Sequence, residues 1–199
     1  MTTLTQRPVL ADMFWSTEGS QIWLKRLILL VAGVLALAIA AKIKIPMWPV
    51  PITMGTFAIL TIGAAYGPRL GLTTVLAYLV VGALGFDVFA GSSAEKFGLS
   101  YMLGGTGGYL VGYALAAAAL GWFARQGWDR TFGKMALALL IGNAIIYVPG
   151  LLWLGQLYGW DQPILAWGLW PFLIGDGVKL VLAALAVPAI WKLVGTART

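Results

Sequence analysis

The sequence predicts an all-α integral membrane protein: six transmembrane helices in one bundle, with both termini cytoplasmic. Composition, the lengths of the uncharged runs and the placement of basic residues carry that reading. Of 199 residues, 60% are hydrophobic and 10% charged, against about 25% charged in an average soluble domain. So little solvating surface excludes a soluble globular fold. There is no cysteine and no histidine, which removes disulfides, thiol chemistry, zinc sites of the usual N/S type and any histidine general base. The net charge of +6 records orientation in a membrane protein, not affinity for nucleic acid.

The uncharged runs are Leu27–Ala41, Ile45–Pro68, Leu70–Phe86, Phe97–Ala124, Met135–Trp160 and Gln162–Trp191, the last broken only by Asp176 and Lys179. A spanning helix needs about 20 apolar residues. Leu27–Ala41 is short but is flanked by Lys25, Lys42 and Lys44, which can snorkel. Phe97–Ala124 and Met135–Trp160 exceed the need, so part of each is expected to be loop or re-entrant backbone. Residues 1–24 form a polar cytoplasmic segment that does not look like a cleaved signal peptide. The membrane domain covers 25–192, and 193–199 is a cytoplasmic tail.

Six spans place nine basic residues on one side (Arg7, Lys25, Arg26, Arg69, Arg125, Arg130, Lys134, Lys192 and Arg198) and three, Lys42, Lys44 and Lys96, on the other. The positive-inside rule then puts both ends in the cytoplasm of a multi-pass protein of the cell membrane. Trp48, Trp160, Trp167 and Trp170 fit an outer aromatic belt, and Trp23, Trp122 and Trp191 an inner one.

Asp176 and Lys179 are the most informative residues. An ionised side chain near the bilayer centre costs roughly 2.5–3.5 kcal/mol on insertion scales, and this span carries two. Their i, i+3 spacing sets both on one helix face. A mutual pair that merely lets the helix insert is one reading. A pocket needing an acceptor beside a donor is the other, favoured by their place in the outer half of the span, near Pro171. As a proton relay, a lone carboxylate–ammonium pair is a poor wire. With no histidine, cysteine or second nearby carboxylate to share the work, an enzyme is not expected.

Ile45–Thr56 holds Pro46, Pro49 and Pro51, which cannot sit inside a helix and push their predecessors towards extended geometry. A solvated linker would not be as apolar as IPMWPVPITMGT; a lid over an apolar ligand would be. Thr53, within this segment, is a candidate ligand contact. Leu103–Gly112 (LGGTGGYLVG) lacks the Lys-Ser/Thr ending of a P-loop. Gly108 and Gly112 allow close helix contact, while Thr106 and Gly107 can face a ligand from a helix terminus. Asn143 and Tyr147 form a polar stripe, for interhelical bonding or for ligand contact. Ala32, Ala36 and Ala40 make a small-residue stripe on the first span, either internal packing or a docking surface for another membrane protein.

VPIT at Val50–Thr53, GPRLG at Gly67–Gly71, GGTGGYL at Gly104–Leu110, GN with IY at Gly142–Tyr147, and PFLIGDGVKL at Pro171–Leu180 occur in one colinear order. Together they resemble the BioY family, the biotin-binding S components of energy-coupling factor transporters, over roughly residues 25–192. The chain departs from the family pattern at Gly55, usually Gln, and at Gly105, usually Pro. The resemblance implies a six-helix bundle with an outward-facing biotin pocket, in which Asp176 and Lys179 match the positions that hold the vitamin. It implies no cofactor, biotin being the transported ligand. It also implies partners besides the bilayer: a transmembrane coupling protein docked on the Ala32–Ala36–Ala40 stripe, and the two cytoplasmic ATPases that protein carries. An S component for another vitamin, a biotin carrier working without the ATPases, and a purely structural subunit are the alternatives.

Overall fold

Apolar runs of this length have no water to bond their amides inside a bilayer, so the backbone satisfies itself as helices. A computed structural model describes residues 7–13, 21–91 and 97–196. The elements are α1 (Leu10–Met13), α2 (Gln21–Lys42), β1 (Lys44–Ile45), β2 (Ile52–Thr53), α3 (Gly55–Ala83), α4 (Gly98–Met102), α5 (Gly107–Arg125), a 3₁₀ turn at Trp128–Arg130, α6 (Phe132–Tyr158), α7 (Ile164–Gly168) and α8 (Trp170–Thr196). Among the described residues, five helical stretches are long and apolar enough to cross a membrane. Lys96, Arg198 and Glu18 lie outside the described residues.

The count of five, against six expected, arises at α3. Gly67 interrupts it with φ 80° and ψ 175°, a conformation open essentially to glycine alone. Pro68 follows, preset for the first position of a new helix. A methyl placed on Gly71 would lie 3.1 Å from the Gly63 Cα, whereas residues eight apart in a continuous helix are separated by about 12 Å. The chain therefore reverses at Gly67, and α3 is a hairpin of two arms, 55–66 and 68–83.

Helices in lipid gain little from apolar contact alone, so they associate where small residues let backbones approach. Helix α5 occupies the centre, packed on α3 and α6, while α2 lies on α3 and α8 on α6. A methyl on Gly63 would meet the Ala117 carbonyl oxygen at 2.7 Å, and one on Gly112 the Ile146 Cα at 2.7 Å. Within the LGGTGGYLVG stretch, Gly108 and Gly112 thus act as seam residues between α5 and α6. Helix α4 and the turn before α5 supply the loop expected in Phe97–Ala124. The second over-long run behaves differently: α6 continues through Pro149 for 27 residues, about 40 Å, with no loop or re-entrant portion.

At the end of the bundle holding the Gly67 reversal, residues 7–13 form a strap. Val9 is fully buried and Leu10 nearly so. The Arg7 amide donates to the Arg125 carbonyl at 3.1 Å, Arg125 Nη1 donates to Asp12 Oδ2 at 2.6 Å, and Arg130 Nη2 to the Pro8 carbonyl at 2.9 Å. Trp191 does not stand exposed as a belt residue: it is buried, donates to Asp129 Oδ2 at 2.5 Å, and lies under the Arg130 guanidinium at 3.3 Å. Burial pushes the Asp129 carboxyl above the usual range, against the Trp191 N–H and the Arg130 charge, which pull it down.

Gly67→Ala is expected to destabilise the protein by about 1–3 kcal/mol through backbone strain, because the new methyl meets nothing closer than 3.4 Å. Gly133→Ala, whose methyl meets nothing within 4 Å, is the control and should be as stable as the wild type or up to about 1 kcal/mol more so, since alanine is the better helix former. Thermal unfolding in detergent checks both.

Candidate ligand-binding site

Helix α8 brings Asp176 and Lys179 about two turns inside its start, facing α3 and α6. Lys179 Nζ donates to Asp176 Oδ1 at 2.8 Å, to the Thr53 carbonyl at 2.6 Å and to Thr56 Oγ1 at 3.2 Å. Asp176 also accepts from Thr56 Oγ1 at 3.2 Å and, on Oδ2, from the Tyr147 hydroxyl at 2.5 Å. Asp176 is buried and Lys179 largely so, with 6% of the aspartate side chain and 11% of the lysine side chain exposed. Every proton of the ammonium has an acceptor, so the pair satisfies the condition under which buried charge is tolerated.

The pair forms one wall of a cavity with about 680 Å³ of empty space, its open mouth included. Thr53, Thr106, Tyr147, Asp176 and Lys179 all line it. The remaining walls are mainly aromatic and aliphatic: Tyr78, Phe89, Tyr101, Tyr109, Tyr113 and Phe172, with Ile59, Ile146 and Leu110. The site therefore offers a few convergent polar groups in an apolar box, the usual chemistry for holding a ring system with a polar edge.

The proline-rich segment is a short antiparallel hairpin, with Lys44 opposite Thr53 and Ile45 opposite Ile52. The prolines prevent a helix, and the two-residue strands pair the backbone at the two ends of the segment. Val50 and Pro51 line the cavity, while Trp48 packs edge-on against Trp167 at 4.9 Å and Tyr158 at 5.5 Å. At the end of α2, Lys42 Nζ donates to Asp87 Oδ1 at 2.5 Å and to the Phe89 carbonyl at 2.9 Å, and Lys44 Nζ donates to the Ala90 carbonyl. These bonds hold Phe89 in the cavity wall, stacked on Tyr101 at 5.0 Å and edge-on to Tyr78 at 5.3 Å.

Two residues singled out in the sequence lie elsewhere. Asn143 faces a smaller cavity on the other side of the Asp176–Lys179 pair. Gly107 lies off the main wall, where a methyl would meet the Met102 carbonyl at 2.3 Å and Trp153 Nε1 at 2.9 Å. Thr56 and the lining tyrosines other than Tyr147 were not singled out in the sequence. Thr56 sits three residues beyond Thr53, and Tyr109 and Tyr113 share a helix face at i, i+4, a signal present but common in membrane helices. Gly55 also lines the cavity, and a methyl there would lie 2.9 Å from Thr53 Oγ1. On α2, Ala32 and Ala36 are exposed while Ala40 is buried in the bundle, so the alanine stripe turns from the surface to the interior along its length.

Lys179→Met leaves Asp176 without its counter-charge and is expected to cost roughly 3–5 kcal/mol of stability. Adding Asp176→Asn to that variant should recover most of the loss. Unfolding of the four members of this cycle in detergent is the check; no recovery in the double variant would mean that the lysine stem, not its charge, supports the bundle.

A family model for the BioY family matches residues 10–196. A Pyrococcus horikoshii protein named "Probable biotin transporter BioY" is 36% identical over 160 residues, covering 78% of this chain and 90% of that one. The Thermotoga maritima "Biotin transporter BioY" is 32% identical over 167 residues, covering 83% and 96%. The fold resembles a crystal structure described as the S-component for biotin from an ECF-type ABC transporter, with a TM-score of 0.73 at 24% identity over 88% of this chain and 95% of that one. The chain belongs to the BioY family.

Proposed function

We propose that this chain is the substrate-capturing subunit of a biotin uptake system, binding biotin on the outer side of the cell membrane and delivering it inward with an energy-coupling module. The observation that carries the reading is the Asp176–Lys179 pair set in an aromatic box. An acceptor and a donor 2.8 Å apart address two neighbouring ligand atoms, an N–H and the C=O beside it. The ureido edge of biotin presents that pattern, whereas its carboxylate stands at the far end of an alkyl chain. In this reading a ureido N–H donates to Asp176 and the ureido oxygen accepts from Lys179, with Tyr147 steadying the carboxylate. Thr53 and Thr106 add polar contacts near the lid, and the tyrosines and Phe172 enclose the rings and chain.

Counting the two arms of α3 separately gives six spans, with both termini on the cytoplasmic side. The grouping of charges supports that orientation. Arg7, Arg125 and Arg130 bond the strap beneath the Gly67 reversal, with Arg69 two residues beyond Gly67 and Lys192 beside Trp191. Lys42 and Lys44 sit at the opposite, cavity end. Capture then proceeds from outside with the β1–β2 hairpin and Phe89 as the closing elements. A transmembrane coupling protein carrying two cytoplasmic ATPases would dock on the exposed part of the alanine stripe, Ala32 and Ala36.

Titration of the purified chain with biotin, followed by tryptophan fluorescence, is the direct test; saturable binding at nanomolar concentration is the expected result. Asp176→Asn should weaken binding by roughly 10- to 150-fold, the worth of one charged hydrogen bond, while the protein stays folded. 2-Iminobiotin carries a protonated nitrogen in place of the ureido oxygen and should bind on the order of a hundredfold or more weaker, since Lys179 repels it. Binding of biotin unchanged by Asp176→Asn would overturn the assignment. Ala36→Leu should leave biotin affinity intact and abolish co-purification with a coupling protein; persistent assembly would place the docking surface elsewhere.

A further inference from the structure

Asn143 is 8% exposed, and its Oδ1 has no hydrogen-bond partner among the described residues. A buried amide oxygen left without a donor is destabilising, and folded proteins meet that need with ordered water when protein donors are absent. Asn143 faces a small cavity between the first arm of α3, α6 and α8, with about 190 Å³ of empty space, its opening included, and room for a single water molecule at most; Thr56, Asp176 and Lys179 are its other polar lining residues, among apolar ones such as Phe57, Leu139 and Leu180. Lys179 cannot supply the missing donor, since its three protons already serve Thr53, Thr56 and Asp176. The Thr56 hydroxyl donates to Asp176 and accepts from Lys179, which leaves one lone pair free.

We propose that this cavity binds one ordered water that donates to Asn143 Oδ1 and to Thr56 Oγ1, making Asn143 a positioning residue for the Asp176–Lys179 pair. With both acceptor sites of Thr56 filled, by Lys179 and by the water, its proton is held on Asp176. The carboxylate keeps the orientation that the main cavity requires. The ligand this site takes is water, and the polar wall it shares with the main cavity is the face behind the pair. The effect on ligand affinity rests on the biotin reading given above; the water itself does not.

Two measurements on the full-length protein test this. The first is an experimental structure at a resolution that shows ordered water, where density within hydrogen-bond distance of Asn143 Oδ1 and Thr56 Oγ1 is expected and an empty cavity overturns the proposal. The second compares Asn143→Leu, which fills the cavity with an apolar group, with Asn143→Ser, which keeps an oxygen and leaves room for water. The leucine variant should melt no lower than wild type yet bind biotin about tenfold more weakly. The serine variant should bind within about threefold of wild type, as expected if water restores the contact. Wild-type affinity in the leucine variant overturns the positioning role. If the leucine variant does not fold, the serine variant decides, and a tenfold loss there counts against the water. Wild-type protein that shows the water but binds no biotin would remove the biotin reading and leave the water site standing.

Discussion

A carboxylate and an ammonium enclosed in a membrane bundle remain tolerable only while each has the other and every remaining proton and lone pair is placed. That constraint organises the structure around Asp176 and Lys179. The helical spacing brings the two charges together, but a helix alone cannot finish the task. The Thr53 carbonyl comes from the end of the β1–β2 hairpin, Thr56 from the first turn of α3, and the Tyr147 hydroxyl from α6. Three separate segments thus converge on one ion pair, and its satisfaction ties the lid to the bundle core. A buried pair of this kind is weak evidence for stability, since apolar residues would do as well or better. Its presence beside an open cavity points to recognition.

The arrangement of helices follows from a second constraint, the lack of a solvent-driven force between apolar surfaces in lipid. Contact between α3, α5 and α6 runs through Gly63, Gly112 and Gly121, positions where a single methyl would strike the facing backbone at under 3 Å. The Gly67 reversal is locked by the same means: a methyl on Gly121 would meet the Gly67 carbonyl carbon and the Pro68 nitrogen at 2.3 Å. Bulky aromatic residues gathered beside the β1–β2 hairpin frame the cavity on that side.

Much of this was legible in the sequence for physical reasons. Charges are rare in apolar runs, so Asp176 and Lys179 announce themselves and Arg69 parts the runs that become the two arms of α3; three prolines in six positions exclude a helix. What was not legible depends on which way a side chain turns. Asn143 and Tyr147 share a helix face by spacing, yet one faces the main cavity and the other a smaller void behind the ion pair, because the pair itself lies between them. The continuity of α6 through Pro149 follows from its tertiary packing on α5, which no local rule encodes. The strap at residues 7–13 reads as an ordinary polar segment, and only the hydrogen bonds from Arg125 and Arg130 reveal its docking. Trp191 has the composition of a belt residue and the environment of a core one, a difference set by Asp129 and Arg130.

Whether the ion pair reads the polar edge of biotin is decided most directly by an experimental structure of the complex. The ureido ring is expected against α8, with a ring nitrogen at roughly 2.7–3.2 Å from an Asp176 oxygen and the ureido oxygen at a similar distance from Lys179 Nζ. The direct Asp176–Lys179 contact is expected to open to admit the ligand. Biotin bound elsewhere, with the two charges still closed on each other at 2.8 Å, would contradict this reading.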